Sequence, residues 1–202
     1  MKISLQNAGK RFNRDWIFRS CSLDFLPNHS YAITGPNGSG KSTLLQVIAG
    51  ATLHSEGKLI YTSDDQKNIT EPYPYIAIAA PYLELVEEMT ATEMLQFHSA
   101  FKPLTKPVAE VLSAVQLENA ATKQVRYFSS GMKQRLKLAQ AFFSKAPVLL
   151  LDEPTTNLDS EGTALYRNLI QEQLGKKLII ISSNVEAEYD FCEGLVKMET
   201  YK

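Results

Sequence analysis

The stretch Gly35-Pro36-Asn37-Gly38-Ser39-Gly40-Lys41-Ser42-Thr43 restricts what this chain can become more than any other. It follows the apolar run Tyr31-Ala32-Ile33-Thr34 and opens the helical pattern Leu44-Leu45-Gln46-Val47-Ile48-Ala49. Strand, glycine-rich turn and helix are the setting in which a G-x-x-x-x-G-K-[ST] segment grips phosphate. Without Cβ atoms at 35, 38 and 40, the backbone can curl closely around an anion. The N–H groups of the loop and of the first helical turn then point at the β-phosphate. Lys41 is placed to reach the β- and γ-phosphate oxygens, and the Ser42 hydroxyl to hold Mg²⁺. An ordinary glycine-rich turn is the competing explanation, but average residue usage yields such a match by chance only on the order of 1% of the time in a chain this long. A nucleoside triphosphate is therefore the expected ligand.

The rest of the composition narrows the class. A chain of 202 residues suits one compact domain with room for an inserted part. Lysine and arginine total 21 against 22 acidic residues, so no excess positive field points to nucleic acid or an anionic membrane. Cys21 and Cys192, with three scattered histidines, lack metal-ligand spacing, and a thiol-bearing cytosolic protein is expected. Polar residues Gln6, Asn7, Lys10 and Arg11 interrupt any signal-peptide core. No apolar run approaches the roughly 20 residues that span a bilayer, so a link to a membrane must run through a partner.

Along the chain, Lys2–Gln6 and Cys21–Phe25 alternate as half-buried antiparallel strands, with Lys10–Trp16 between them as a polar turn carrying two aromatics. Lys58–Tyr61 and Tyr75–Ala79 are further strands, separated by a polar loop from Thr62 to Pro74. Thr90 followed by Glu93 is a capping box that starts a helix, Pro107 opens a second over Val108–Val115, and Leu117–Arg126 is a short third piece. Met132, Leu136, Ala139 and Phe143 form one apolar stripe on a helix, with Lys133, Gln134, Lys137 and Gln140 off it. Val148–Leu151 and Leu178–Ile181 are short, wholly apolar runs, the mark of strands covered on both faces. A helix over Leu165–Leu174 lies between them. The expected fold is α/β: a mostly parallel sheet flanked by helices, with an N-terminal antiparallel β part and a helical insertion. The division expected is 1–81 with 129–202 as nucleotide-binding core and 82–128 as helical subdomain. Ligands of such sheets sit beyond the carboxyl ends of the strands, where the P-loop, Asp152 and Asn184 should converge.

Asp152-Glu153 directly follows the Val148–Leu151 run. An aspartate at a strand end beside a P-loop can hold Mg²⁺, and a second carboxylate can take the proton from a water attacking the γ-phosphate. A solvated acidic pair at a turn is the bland alternative, and the neighbouring P-loop outweighs it.

Leu149-Leu150-Leu151-Asp152-Glu153-Pro154, followed by Thr155-Thr156-Asn157-Leu158-Asp159, resembles the Walker B motif and D-loop of an ABC ATPase. Upstream, Phe128-Ser129-Ser130-Gly131-Met132-Lys133-Gln134-Arg135 is similar to that family's signature motif. The resemblance extends over essentially the whole chain and implies the P-loop NTPase fold, ATP and Mg²⁺ as cofactors, and Mg²⁺-dependent ATP hydrolysis. It implies that Gly35, Asn37, Gly38, Ser39, Gly40, Lys41, Ser42 and Thr43 contact phosphates, that Asp152 joins Ser42 on Mg²⁺, and that Glu153 is the general base. Phe12 matches the aromatic that stacks on adenine, with Trp16 as the alternative. Ser129 and Gly131 match residues that contact the γ-phosphate held by the opposite subunit. A homodimer or heterodimer of head-to-tail cassettes, with Asp159 near the shared interface, follows from that match. So does an integral-membrane permease that holds the subunit at the inner face of the cell membrane, through a groove near Tyr82–Met89.

Three regions depart from the family pattern. Ser130 and Met132 replace the usual glycine and glutamine of the signature. Where a Q-loop glutamine is usual, Ala79-Ala80-Pro81-Tyr82 stands instead, and proline has no side-chain donor. Asn184 takes the place of the switch histidine and can donate a hydrogen bond but carry no charge. The primary expectation is an ATPase subunit of a transporter. The alternatives are a soluble non-transport ABC ATPase, or an ATP-binding module with little hydrolysis.

Overall fold

The computed structural model describes residues 1–202. Two sheets share the chain. The first is antiparallel: β1 (Lys2–Phe12) lies between β2 (Asp15–Phe25) and β4 (Glu56–Thr62). The second is parallel, with β3 (Ser30–Thr34), β5 (Ile76–Ala79), β6 (Val148–Asp152), β7 (Leu178–Ser182) and β8 (Gly194–Lys197) in the spatial order β5-β6-β7-β3-β8.

The helices are α1 (Lys41–Ile48), α2 (Ala91–Phe101), α3 (Val108–Ala114), α4 (Ser130–Phe142) and α5 (Ser160–Gln171). Every residue of β6 and β7 is buried, and the unbroken apolar runs Val148–Leu151 and Leu178–Ile181 require that of most of each strand. Leu149 and Leu151 face the hydrophobic cluster that includes residues of α2 to α5, whereas Val148 and Leu150 face the one that holds α1 and the antiparallel sheet. Each such side chain contributes about 1.5–3 kcal/mol by leaving water. The stacked faces make the parallel sheet a rigid base for the loops at its ends.

Local chemistry sets the element boundaries. Thr90 caps α2 in a complete capping box with Glu93. Asp159 caps α5 by accepting from the Gly162 N–H at 2.7 Å, so that helix starts five residues before the apolar pattern at Leu165. The turn within Lys10–Trp16 is confined to Asn13 and Arg14, and the rest of the segment is strand. β1 and β2 continue through it to a hairpin tip at Asn13 and Arg14, with Phe12 opposite Asp15. Asn13 takes a left-handed φ of 53°, the conformation short hairpin loops demand and asparagine tolerates. Stacking of Arg11 and Arg19 guanidiniums on the Trp16 ring supports that polar ribbon as strand. Leu117–Arg126 forms two separate 3₁₀ turns, Glu118–Ala120 and Val125–Tyr127, rather than a helix.

Candidate nucleotide site

Strand register brings the key loops together. Asp152 on β6 pairs with Ser182 on β7, and Ser182 pairs with Ile33 on β3. Adjacent strands lie about 4.8 Å apart, so residues one or two positions past this row emerge side by side. Gly35, Glu153 and Asn184 are those residues. Backbone bonds tie the exits: the Glu153 N–H donates to Ser182 O at 2.8 Å, and the Ser183 N–H to Ile33 O at 3.2 Å. Across the row, Asn184 Nδ2 donates to Asn37 Oδ1 at 3.1 Å, joining the switch position to the glycine-rich loop.

A cleft of about 280 Å³ opens here, lined by Ile17, Asn37, Gly38, Gly40, Lys41, Ser42, Thr43 and Glu153. α1 meets it with its N-terminus. Its N-cap is Gly40, at φ 99°, which has no side chain to satisfy the first-turn N–H groups, and no acidic residue occupies that turn. α2, by contrast, carries its own Glu93 in the first turn. The positive end of α1 is left for an external anion. Lys41 is buried and its ammonium donates to Gly35 O at 2.8 Å and Pro36 O at 3.3 Å, folded over the loop it follows. Those two carbonyls hold the cation at the rim of the anion site.

Asp152 is 2% exposed. Burial raises the pKa of its carboxyl above the ordinary range; the nearby hydroxyls of Ser42 and Ser182 act against burial, the charge of Glu153 acts with it, and Lys41 opposes it. Although both hydroxyls lie close, Asp152 Oδ1 and Ser182 Oγ have no partner in hydrogen-bond geometry. An orphaned buried carboxylate oxygen beside the Ser42 hydroxyl is the donor set a hard divalent cation uses when phosphates and waters supply the remaining ligands. The residues present fit Mg²⁺. Glu153 follows in a left-handed conformation, φ 42°, with its side chain on the cleft and its Oε2 accepting from Thr156 Oγ1 at 3.4 Å.

Other expected residues stand elsewhere. Phe12 is 49% exposed near the hairpin tip, with the Lys10 ammonium over its ring, and does not line the cleft. Ser129 caps α4, its hydroxyl accepting from the Met132 N–H at 3.2 Å. A Cβ on Gly131 would lie 3.1 Å from Asn157 O, so the signature turn packs on the D-loop and away from this chain's own cleft. In the Q-loop position Pro81 is followed by Tyr82, whose hydroxyl lies beside the Gln46 side chain, one helical turn beyond Ser42.

Three residues in or around the site went unread in the sequence. Ile17 lines the cleft because it is the extra residue of a β-bulge: Lys10 pairs with Phe18 and Arg11 with Trp16, leaving Ile17 without a partner. Bulges re-aim side chains in this way and break the period-two pattern that would reveal them. Gln134, placed off the apolar stripe, is buried and donates to Pro154 O at 2.8 Å. Glu188 is buried and accepts from the Thr155 N–H at 2.9 Å.

The family model described as ABC transporter matches residues 18–156. The chain belongs to the ABC transporter family. It is the family's ATP-binding component, an ATPase. Its relatives include the uncharacterized ABC transporter ATP-binding protein YybJ of Bacillus subtilis, 30% identical over 201 residues, which span 97% of this chain and 92% of that one. The cytochrome c biogenesis ATP-binding export protein CcmA of Bartonella henselae is 37% identical over 177 residues, covering 85% and 82%. A putative ABC transporter ATP-binding protein from Pyrococcus furiosus superposes with a TM-score of 0.83 at 20% identity, covering the whole of both chains. The dimeric post-hydrolysis state of the cassette MJ0796 with ADP and Pi gives 0.83 at 23% identity, over 96% and 93%. These structures share the fold, two sheets with flanking helices, and the transporter names of the relatives do not favour a soluble non-transport ATPase.

Proposed function

We propose that this chain is a transporter motor in which two cassettes close head-to-tail over two ATP molecules and pass the motion to a separate membrane permease. The observation that carries the reading is the convergence of an uncapped helix N-terminus, Lys41, Ser42, Asp152, Glu153 and Asn184 at the end of one parallel sheet. The N–H groups of 38–43 bind the phosphate tail and Lys41 leaves its two loop carbonyls for the β- and γ-oxygens. Ser42 and Asp152 would hold Mg²⁺, which would supply neutralisation of the phosphate charge. Glu153 takes the proton from the attacking water, and Asn184, already on Asn37, donates to the γ-phosphate. Phe12 supplies the stacking surface for adenine. Ser129 and the N–H of Gly131, at the positive end of α4, complete the γ-phosphate site of the facing copy or of a related cassette. Because Asn184 carries no charge and Pro81 offers no donor, hydrolysis is slow compared with a cassette that has both groups, by about two decades for one lost donor.

Residues 82–128 form the helical part that receives the permease, and 1–81 with 129–202 the nucleotide-binding part. Between them a groove of about 730 Å³ runs along Pro81–Glu88 and against Lys133 and Lys137. Leu83, Leu85 and Val86 are its apolar contacts, and the exposed Val86 is free to meet a coupling helix. No helix of the chain is long and apolar enough to cross a membrane, so the inner-face location depends on that docking. Leu85→Asp combined with Val86→Asp should abolish co-sedimentation with membranes while ATP binding persists; unchanged co-sedimentation contradicts docking at this groove.

A further inference from the structure

The turn that carries Glu153 is held from three sides. A non-glycine residue at φ 42° costs about 1–2 kcal/mol, so its surroundings must keep it there. β7 holds the Glu153 N–H through Ser182 O at 2.8 Å. α4 holds the next carbonyl, with Gln134 Nε2 donating to Pro154 O at 2.8 Å. The third hold comes from the segment just past Asn184. There Glu188 Oε1 accepts from the Thr155 N–H at 2.9 Å and from the Thr155 hydroxyl.

Glu188 is 3% exposed, and its own carbonyl accepts from the Tyr166 hydroxyl at 2.6 Å. Its other carboxylate oxygen, Oε2, is buried with no partner. A buried carboxylate with one oxygen unsatisfied is a costly way to fasten a surface turn. The tie also spans the two loops that flank the γ-phosphate position, since Asn184 lies four residues before Glu188 and Glu153 two before Thr155.

We propose that Glu188 is a positioning residue for ATP hydrolysis: through Thr155 it locks the Glu153 turn to the loop bearing Asn184, so base and phosphate donor move as one unit. The inference rests on the assignment of Glu153 as general base. It is tested on the 202-residue chain with Glu188→Ala, Glu188→Gln and Thr155→Val, measuring steady-state ATPase rates and the Kd of a fluorescent ATP analogue. Glu188→Ala should lower kcat by at least about tenfold while Kd stays within about twofold, the split expected of an interaction used only in turnover. Glu188→Gln, which keeps one carbonyl acceptor, should recover part of the loss. Adding Thr155→Val to Glu188→Ala should cost little more, because both act on one tie. A folded Glu188→Ala protein with unchanged kcat overturns the proposal, and so do kcat and Kd that worsen together. If Glu188→Ala does not fold, wild-type kcat in both Glu188→Gln and Thr155→Val overturns it. Glu153→Gln run in parallel separates the two levels: turnover at the wild-type rate in that variant would overturn the base assignment itself.

Discussion

Gly40 is where the phosphate loop and the antiparallel sheet press on one another, and alanine there should be damaging in two separable ways. The first is conformational. Gly40 has φ 99°, and a non-glycine residue in left-handed backbone costs about 1–2 kcal/mol. The second is steric. A Cβ at 40 would lie 2.5 Å from Ile17 Cγ2, and a β-branched side chain can yield only by leaving its rotamer, at about 0.5–1.5 kcal/mol. The sum is about 1.5–3.5 kcal/mol. Gly38 is the internal control: it has φ 77°, but nothing lies within 4 Å of an added Cβ, so Gly38→Ala should show the conformational part alone, about 1–2 kcal/mol. Urea unfolding of both variants measures the difference, and adding Ile17→Ala to Gly40→Ala should remove it without removing the rest. Because Ile17 also lines the cleft, Gly40→Ala should weaken ATP binding more than Gly38→Ala does. Equal costs for the two glycines, with no relief from Ile17→Ala, would refute this account of the contact.

Three further outcomes follow from the same geometry. Burial raises the Asp152 carboxyl pKa, so the ionised form is a folded-state cost that is present at neutral pH and vanishes as pH falls and the carboxyl protonates. Asp152→Asn should therefore raise the urea midpoint of the nucleotide-free protein at pH 7, by less toward pH 4, while abolishing Mg²⁺-dependent turnover. Lys177, 9% exposed and donating to Ser144 O at 2.6 Å, has its pKa lowered from 10.5 to about 8 by burial. Its charge is a full cost below pH 8 that is relieved as pH rises toward 10.5, so the wild type should gain on Lys177→Met by up to about 3 kcal/mol over that window in urea titrations. Asn184→His should increase kcat by about tenfold or more, since it restores a donor that can carry charge; an unchanged rate would mean that the amide, already on Asn37, suffices.

Much of this architecture is legible in the residues because single-period patterns report burial. Val148–Leu151 and Leu178–Ile181 have no polar member, and only a strand covered on both faces accommodates that. The phosphate loop, Asp152 and Glu153 read equally clearly, because phosphate chemistry constrains residue type and order. What escaped is long-range or aperiodic. Ile17 faces the cleft through a bulge, and no local pattern announces an extra residue. Gln134 and Glu188 look like surface residues of helical segments until tertiary packing buries them against the Asp152–Thr156 turn. The hairpin through Lys10–Trp16 reads as a loop because its residues are polar and charged, but cross-strand pairing and arginine–tryptophan stacking hold it as strand. β8 is short, half exposed and at the sheet edge, so its burial pattern is too weak to stand out.

The central claim is that ATP held on the loop of one copy is closed over by the signature turn of another. Light scattering of the Glu153→Gln protein with ATP and Mg²⁺ tests it directly, since removing the proposed base should leave ATP intact. The account predicts a dimer that forms only with ATP, reverts to monomer when Lys41→Ala is added, and is lost with Ser129→Glu, which sets a like charge against the γ-phosphate. A Glu153→Gln protein that binds ATP fully yet remains monomeric at all concentrations would contradict it.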